Sequence, residues 1–161
     1  MTQEQQMDDL IRCLLAERKE YQDIGVPSKL PDKRRLLRSL MNVRPPAPVS
    51  KEFLRAQDAY LQERLVQRGV TRLQDLTPVR PGLYLWQGDI TTLAVDAIVN
   101  AANSGMTGCY IPCHGCIDNA IHTYAGIQLR LECARIMAGQ RGEEPVGQAK
   151  ITKAYNLPCR Y

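Results

Sequence analysis

The chain has 161 residues, of which 44% are apolar and 24% charged, enough for one ordinary domain core. Its 21 basic and 17 acidic residues leave a net charge of +4, too mild to mark a nucleic-acid binder. No apolar run reaches the ~20 residues of a membrane span, and the polar start from Met1 to Asp9 is unlike a secretory signal, so the expected location is the cytoplasm. Residues 1–80 hold 15 basic against 11 acidic side chains and residues 81–161 hold 6 against 6. The whole excess therefore falls in the first half, away from the chemistry read below.

Residues 1–80 read as a helical region. Met7, Leu10, Ile11, Leu14 and Tyr21 follow helical spacing and predict a helix over residues 3–22. Pro27 and Pro31 bracket a break. Asp32 then predicts an N-cap for a short helix that buries Leu36, Leu37, Leu40 and Met41 and leaves Lys33, Arg34, Arg35 and Arg38 largely in solvent. The prolines at 45, 46 and 48 predict a loop. Ser50 is placed to cap a third helix carrying Phe53, Leu54, Tyr60, Leu61 and Leu65, with Gly69 as its stop. No aromatic residues interleave the 33–38 cluster, so a nucleic-acid partner is not expected.

From about residue 81 the pattern becomes that of an α/β fold. Leu83–Trp86 reads as a strand, and Ala94–Val99 as a strand buried on both faces. A loop of small residues follows from Asn100 to about Gly115. One long helix is expected over residues 116–137, with Ile117, Ala120, Ile121, Tyr124 and Leu131 along one side. After a break at residues 139–145, Ala149–Tyr155 reads as a further strand.

Chemistry-bearing residues concentrate between Gly88 and His122. Asp89 ends a strand, where α/β sheets bind ligands, although an aspartate there is also an ordinary turn residue. Asn100 and Asn103 offer both donors and acceptors to sugar hydroxyls or an ordered water. The loop runs into a helix near Cys116, whose free N–H groups suit a diphosphate. Cys13, Cys133 and Cys159 are scattered, but Cys109, Cys113 and Cys116 fall within eight residues and His114 lies among them. Thiols crowded with imidazole are zinc donors, and no second ligand pair follows at finger-like distance. Three protein ligands with one open position fit better than a finger. Asp118 and His122 lie four apart on one helix face, with His122 read as packing rather than ligand.

Taken in order, Gly88-Asp89-Ile90-Thr91, then Asp96-Ala97-Ile98-Val99-Asn100-Ala101-Ala102-Asn103, then Cys116-Ile117-Asp118-Asn119-Ala120-Ile121-His122 resembles the macrodomain family, which binds ADP-ribose. The Cys109-x4-His114-x-Cys116 insertion and the helical N-terminal extension look like the family's zinc-containing microbial branch, whose members are protein-ADP-ribose hydrolases often paired with a sirtuin-type ADP-ribosyltransferase. The resemblance covers roughly residues 83–161 and implies a three-layer α/β/α macrodomain fold, present here as its N-terminal part. It implies that Asp89 holds the adenine amino group and Ile90 the neighbouring edge. Asn103 would contact the distal ribose, and Ile117, Asp118 and Asn119 would line the diphosphate and that ribose. Zinc would sit on Cys109, His114 and Cys116, with the role of Cys113 left open. Asp118 and Asn103 would be the catalytic pair, acting on mono-ADP-ribose attached to Asp or Glu side chains. A non-catalytic ADP-ribose reader is the alternative. The family's later strands and second glycine-rich loop have no counterpart up to Tyr161, so residues 81–161 are expected to form an incomplete macrodomain. Uncovered sheet edges and an uncovered apolar helix face are expected with it, making the chain a fragment, a domain needing a partner, or poorly stable.

Overall fold

Thr2 opens the first helix: its hydroxyl accepts from Gln5 N at 3.2 Å while its own N–H donates to Gln5 Oε1 at 2.8 Å, a reciprocal cap. In the computed structural model, which describes residues 2–161, this helix is α1 (Gln3–Ala16), followed by a single 3₁₀ turn at Lys19–Tyr21. It stops short of the expected residue 22. Met7, Leu10, Ile11, Leu14 and Leu15 are buried, whereas the charged run Glu17-Arg18-Lys19-Glu20 has no apolar face to prolong it. Helix α2 (Leu30–Val43) starts earlier than expected, with Pro31 in its first turn and Lys29 at the cap. Asp32 is therefore a first-turn acid rather than the N-cap. Helix α3 (Lys51–Arg68) begins and ends as its sequence predicts: Ser50 Oγ accepts from Phe53 N at 3.1 Å, and Gly69 takes φ +81° at its end.

The three helices bury Met7, Leu10, Ile11, Leu14, Leu37, Leu40, Met41, Phe53, Tyr60 and Leu61 against one another, and Ile127 from the second half completes this core. Lys33 is not solvated as expected. It is buried, with its ammonium 2.7 Å from Glu4 Oε1 and 2.8 Å from Asp8 Oδ2, so two α1 carboxylates replace its water.

Strands are short and begin before residue 81. β1 (Thr71–Arg72) pairs in parallel with β4 (Leu93–Ala94), and β2 (Pro78–Arg80) pairs antiparallel with β3 (Leu83–Tyr84). The expected strand at 83–86 forms only over its first two residues. The run at 94–99 is ladder only at Ala94, and Val99 is 86% exposed rather than buried on both faces. Beyond Ala94, the main-chain neighbours of Asp96 and Ile98 among the described residues are Arg160 and Tyr161. Tyr161 N donates to Asp96 O at 3.1 Å and Ile98 N donates to Tyr161 O at 3.0 Å, the bonding pattern of a parallel pair on one side only. The expected strand at 149–155 is irregular chain, held where Glu132 Oε2 accepts from Lys153 N and Tyr155 Oη.

The single helix expected over 116–137 is two, α4 (Ile117–Ala125) and α5 (Ile127–Ala138). Gly126 at φ +95° separates them, and Gln57 Oε1 of α3 accepts from Ile127 N at 3.0 Å, supplying the cap the second helix needs. The apolar face of these helices is covered, contrary to expectation: Ile121, Ala125, Leu129 and Cys133 pack with Ala154, Leu157 and Cys159. The most exposed apolar side chains are Val66, Leu85, Val99, Val146 and Ile151, none of them on these two helices. The α/β class read from the sequence holds: helices and two small two-stranded sheets make a mixed α/β fold. No described helix is long and apolar enough to cross a membrane.

A Cβ at residue 126 would lie 2.6 Å from Gln57 Nε2 and from Gln128 Oε1, in a left-handed conformation. Gly126→Ala is expected to cost about 2 kcal/mol or more in urea unfolding, beyond an exposed glycine-to-alanine change elsewhere in the chain.

Candidate functional site

The loop between β4 and α4 brings two thiols and an imidazole together. The donor atoms of Cys109, His114 and Cys116 all lie within 4.8 Å of one another, and Cys109 Sγ is 3.6 Å from His114 Nδ1. Tetrahedral bonds of about 2.3 Å to sulfur and about 2.0–2.1 Å to nitrogen put such a pair about 3.6 Å apart, so the spacing and the donor set fit zinc. Cys116 is also the N-cap of α4, with its sulfur accepting from Asn119 N at 3.4 Å. The triad therefore sits at the helix's positive end. Cys113 is not part of it. At φ +52° it turns toward α2, where its sulfur lies 3.2 Å from Ser39 Oγ and 3.4 Å from Arg35 O.

A polar stripe on α2 grips this loop. Arg38 donates to His114 O at 3.0 Å and to Asn119 Oδ1 at 2.7 Å. Asn42, 1% exposed, accepts from Cys113 N at 2.9 Å and donates to Thr123 Oγ1 of α4 at 2.9 Å. Residues 38, 39 and 42 share one helix face by their spacing, which is why a single helix reaches three points of the loop. From the opposite side, the buried Arg130 of α5 donates to the carbonyls of Thr107 (2.8 Å), Met41 (3.1 Å), Asn42 (2.7 Å) and Arg44 (2.6 Å), with the Tyr110 ring 4.2 Å away. Arg38 thus carries positive charge of the first half to the loop of the donor triad, correcting the reading that placed it elsewhere.

The structure places the other site residues as follows. Asp118 is buried; its Oδ1 accepts from Asn100 Nδ2 at 2.8 Å and lies 3.5 Å from His122 Nε2. Asn103 folds into its own loop, with Oδ1 accepting from Gly105 N at 3.0 Å and Nδ2 donating to Gly108 O at 3.2 Å. Ile117 is 38% exposed at the start of α4. The Asn119 side chain is fully buried and already satisfied by Arg38 and Ile111 O, a strut between helix and loop. Asp89 caps the 3₁₀ turn Ile90–Thr92: Oδ1 accepts from Thr91 N and Oγ1, and Oδ2 from Arg68 at 3.0 Å. Ile90 is half-buried against the second apolar cluster. Asn100, Asn103 and His122 also line a cleft of about 670 Å³, whose far wall is residues 144–154; Asp89, Ile117, Asp118 and Asn119 do not line it.

Burial holds the His122 imidazole well below its ordinary value, outweighing the pull of the nearby Asp118 carboxylate. Its ring lies against Gly108, where a Cβ would come within 2.8 Å of the imidazole, so His122 packs beneath the loop that carries Cys109 and His114. Sequence reasoning missed Arg38, Asn42 and Arg130. The available signal was polar residues interrupting apolar faces, which signals burial but not its partner.

The Macro domain family model matches residues 99–161. The whole chain is 59% identical to a Treponema medium protein named "Protein-ADP-ribose hydrolase" and spans 63% of that protein's length. It is 50% identical, over 96% of its residues, to a Staphylococcus aureus (strain MRSA252) protein of the same name and spans 58% of it.

Arg130→Met removes the donor to several buried carbonyls and is expected to cost about 3 kcal/mol or more in urea unfolding. Unfolding frees His122 to protonate near pH 6.5, so its contribution is fully present above that value and declines as pH falls through its lowered folded value. The loss of stability between pH 7 and pH 5, followed in chelated samples to exclude ligand protonation, should be visibly shallower in His122→Gln.

Proposed function

On the premise that residues 99–161 belong to the Macro domain family, we propose that this chain carries the metal-binding and ADP-ribose-binding part of a protein-ADP-ribose hydrolase. The substrate proposed is mono-ADP-ribose on protein Asp or Glu side chains, with a sirtuin-type ADP-ribosyltransferase as its source. The observation that carries the reading is the donor triad Cys109, His114 and Cys116 at the N-terminus of α4, one turn from the buried Asp118. The names of the similar proteins support it.

Zinc held by Cys109, His114 and Cys116 would supply a Lewis acid with one open coordination position. The chain's own groups do the rest. Asp89 retains lone-pair capacity on Oδ2, its exposed side, for the adenine amino group, and Ile90 offers its backbone N–H beside it. The first turn of α4 presents the backbone N–H groups of Ile117 and Asp118 toward the diphosphate. Asn119 contributes by holding the start of α4 in place, since its side chain meets Arg38 and Ile111 O and its N–H meets Cys116 Sγ.

The bond to be cut joins the anomeric carbon of the distal ribose to a protein carboxylate oxygen. Water adds to the anomeric carbon, and the carboxylate leaves with the bonding pair. Asp118, oriented by Asn100 at Oδ1, accepts the water's hydrogen bond and then its proton at Oδ2. Asn103, whose loop its own amide fixes, has one remaining N–H to hold a hydroxyl oxygen of the ribose in place.

Release of ADP-ribose from a glutamate-modified protein, followed by mass spectrometry, tests the reading. Asp118→Asn is expected to lower turnover at least a hundredfold with ADP-ribose affinity within a few-fold. Cys116→Ser should lose bound zinc by elemental analysis and lose turnover. ADP-ribose binding with no turnover by the metal-loaded chain would instead mark a reader.

A further inference from the structure

Four basic side chains cluster at residues 33–38, and the structure treats them differently. Lys33 is neutralised by Glu4 and Asp8 of α1. Arg34 and Arg38, with Arg64 from α3, are half-buried around a cleft of about 150 Å³ between α2, α3 and α4. Its walls are completed by Leu37, Met41, Leu61, Tyr60, Thr123 and Tyr124, and no carboxylate is among them. Among the described residues Arg34 has no hydrogen-bond or ion-pair partner, and Arg64 meets only the Gln67 amide. Arg38 uses Nε and Nη2 on Asn119 and His114 O and keeps Nη1 free.

Three guanidiniums held together without a counter-charge repel one another and lose solvent, so the arrangement opposes folding unless something offsets it. Acidic residues were within reach of Lys33 on the same helix, yet none enters this cleft. Arg34 and Arg64 each keep an edge of paired N–H groups that matches phosphate oxygens, Arg38 adds Nη1, and the cleft is large enough for a phosphoryl group. The two tyrosines give it a flat apolar wall. Tyr60 turns its hydroxyl away to Met7 Sδ, and the Tyr124 ring is already stacked under Arg68 at 3.5 Å.

We propose that the Arg34–Arg38–Arg64 cleft is a binding site for a phosphate group, separate from the Cys109–His114–Cys116 triad. Arg38 belongs to both, so an anion in the cleft would bear on the carbonyl of His114 through one side chain. The site does not depend on ADP-ribose hydrolysis.

The test is calorimetric titration of the purified chain, in low-salt buffer free of phosphate, with inorganic phosphate, pyrophosphate and O-phosphoserine. Saturable binding at one site per chain is expected. Arg34→Gln combined with Arg64→Gln should weaken it at least tenfold, and Cys116→Ser should leave it unchanged. Equal affinity for phosphate and phosphoserine supports a phosphomonoester as the natural occupant; much tighter pyrophosphate supports a diphosphate. No saturation up to about 10 mM, or equal affinity in the double glutamine variant, would overturn the proposal. Should the glutamine variant fail to fold, Arg34→Lys with Arg64→Lys keeps the charge and removes the fork. At least threefold weaker binding is then expected, and unchanged binding counts against the site.

Discussion

The Arg130 guanidinium is 4% exposed, with no carboxylate at salt-bridge distance among the described residues, and main-chain carbonyls carry its charge. Three of them, from Met41, Asn42 and Arg44, belong to the C-terminal end of α2, where carbonyls lack helical partners and the helix dipole is negative. The fourth, Thr107, and a longer contact at 3.5 Å to the carbonyl of Cys109 lie in the loop that carries the donor triad. One side chain thereby satisfies a helix end, ties the N-terminal helices to α5 and anchors the loop that presents Cys109. Burial lowers the affinity of this group for its proton, and the carbonyls that accept from it favour the charged form.

Around that anchor the N-terminal helices are part of the site rather than an appendage to it. Asn42 joins α2 to Cys113 and to α4, Arg38 joins it to His114 and Asn119, and Gln57 of α3 caps α5. Fixing the loop from two sides limits how far its three donors can spread, and a preorganised donor set loses less freedom when it binds an ion. The same interlocking gives Cys113 its role. Its sulfur and its N–H both serve α2, so the fourth nearby donor is withheld from the triad.

Much of the local structure was readable in the residues because it rests on short-range physics. Ser50 and Gly69 bound α3 through cap geometry, and the apolar spacing of Met7, Leu10, Ile11 and Leu14 selected the buried face of α1. Cys109, His114 and Cys116 were legible as a donor set because thiol and imidazole at that density have few other uses. The strand at 94–99 was not, because apolar β-branched residues predict a strand only where neighbours pair with it, and Val99 has none among the described residues. The break at Gly126 was hidden because a glycine within a helical pattern is only a modest local cost; the stop depends on Gln57, distant in sequence.

The amino-acid order alone determined the fold class, the first three helices, the donor triad and the family resemblance, since each follows from residue type at fixed spacing. Tertiary structure alone decided that Cys113 faces α2, that Asn119 is a strut, that Lys33 is buried and that Arg38 and Arg130 hold the loop. Those outcomes turn on which partner a polar group meets when it leaves water. A charge or amide has many partners permitted by its chemistry, and only the packed chain chooses one.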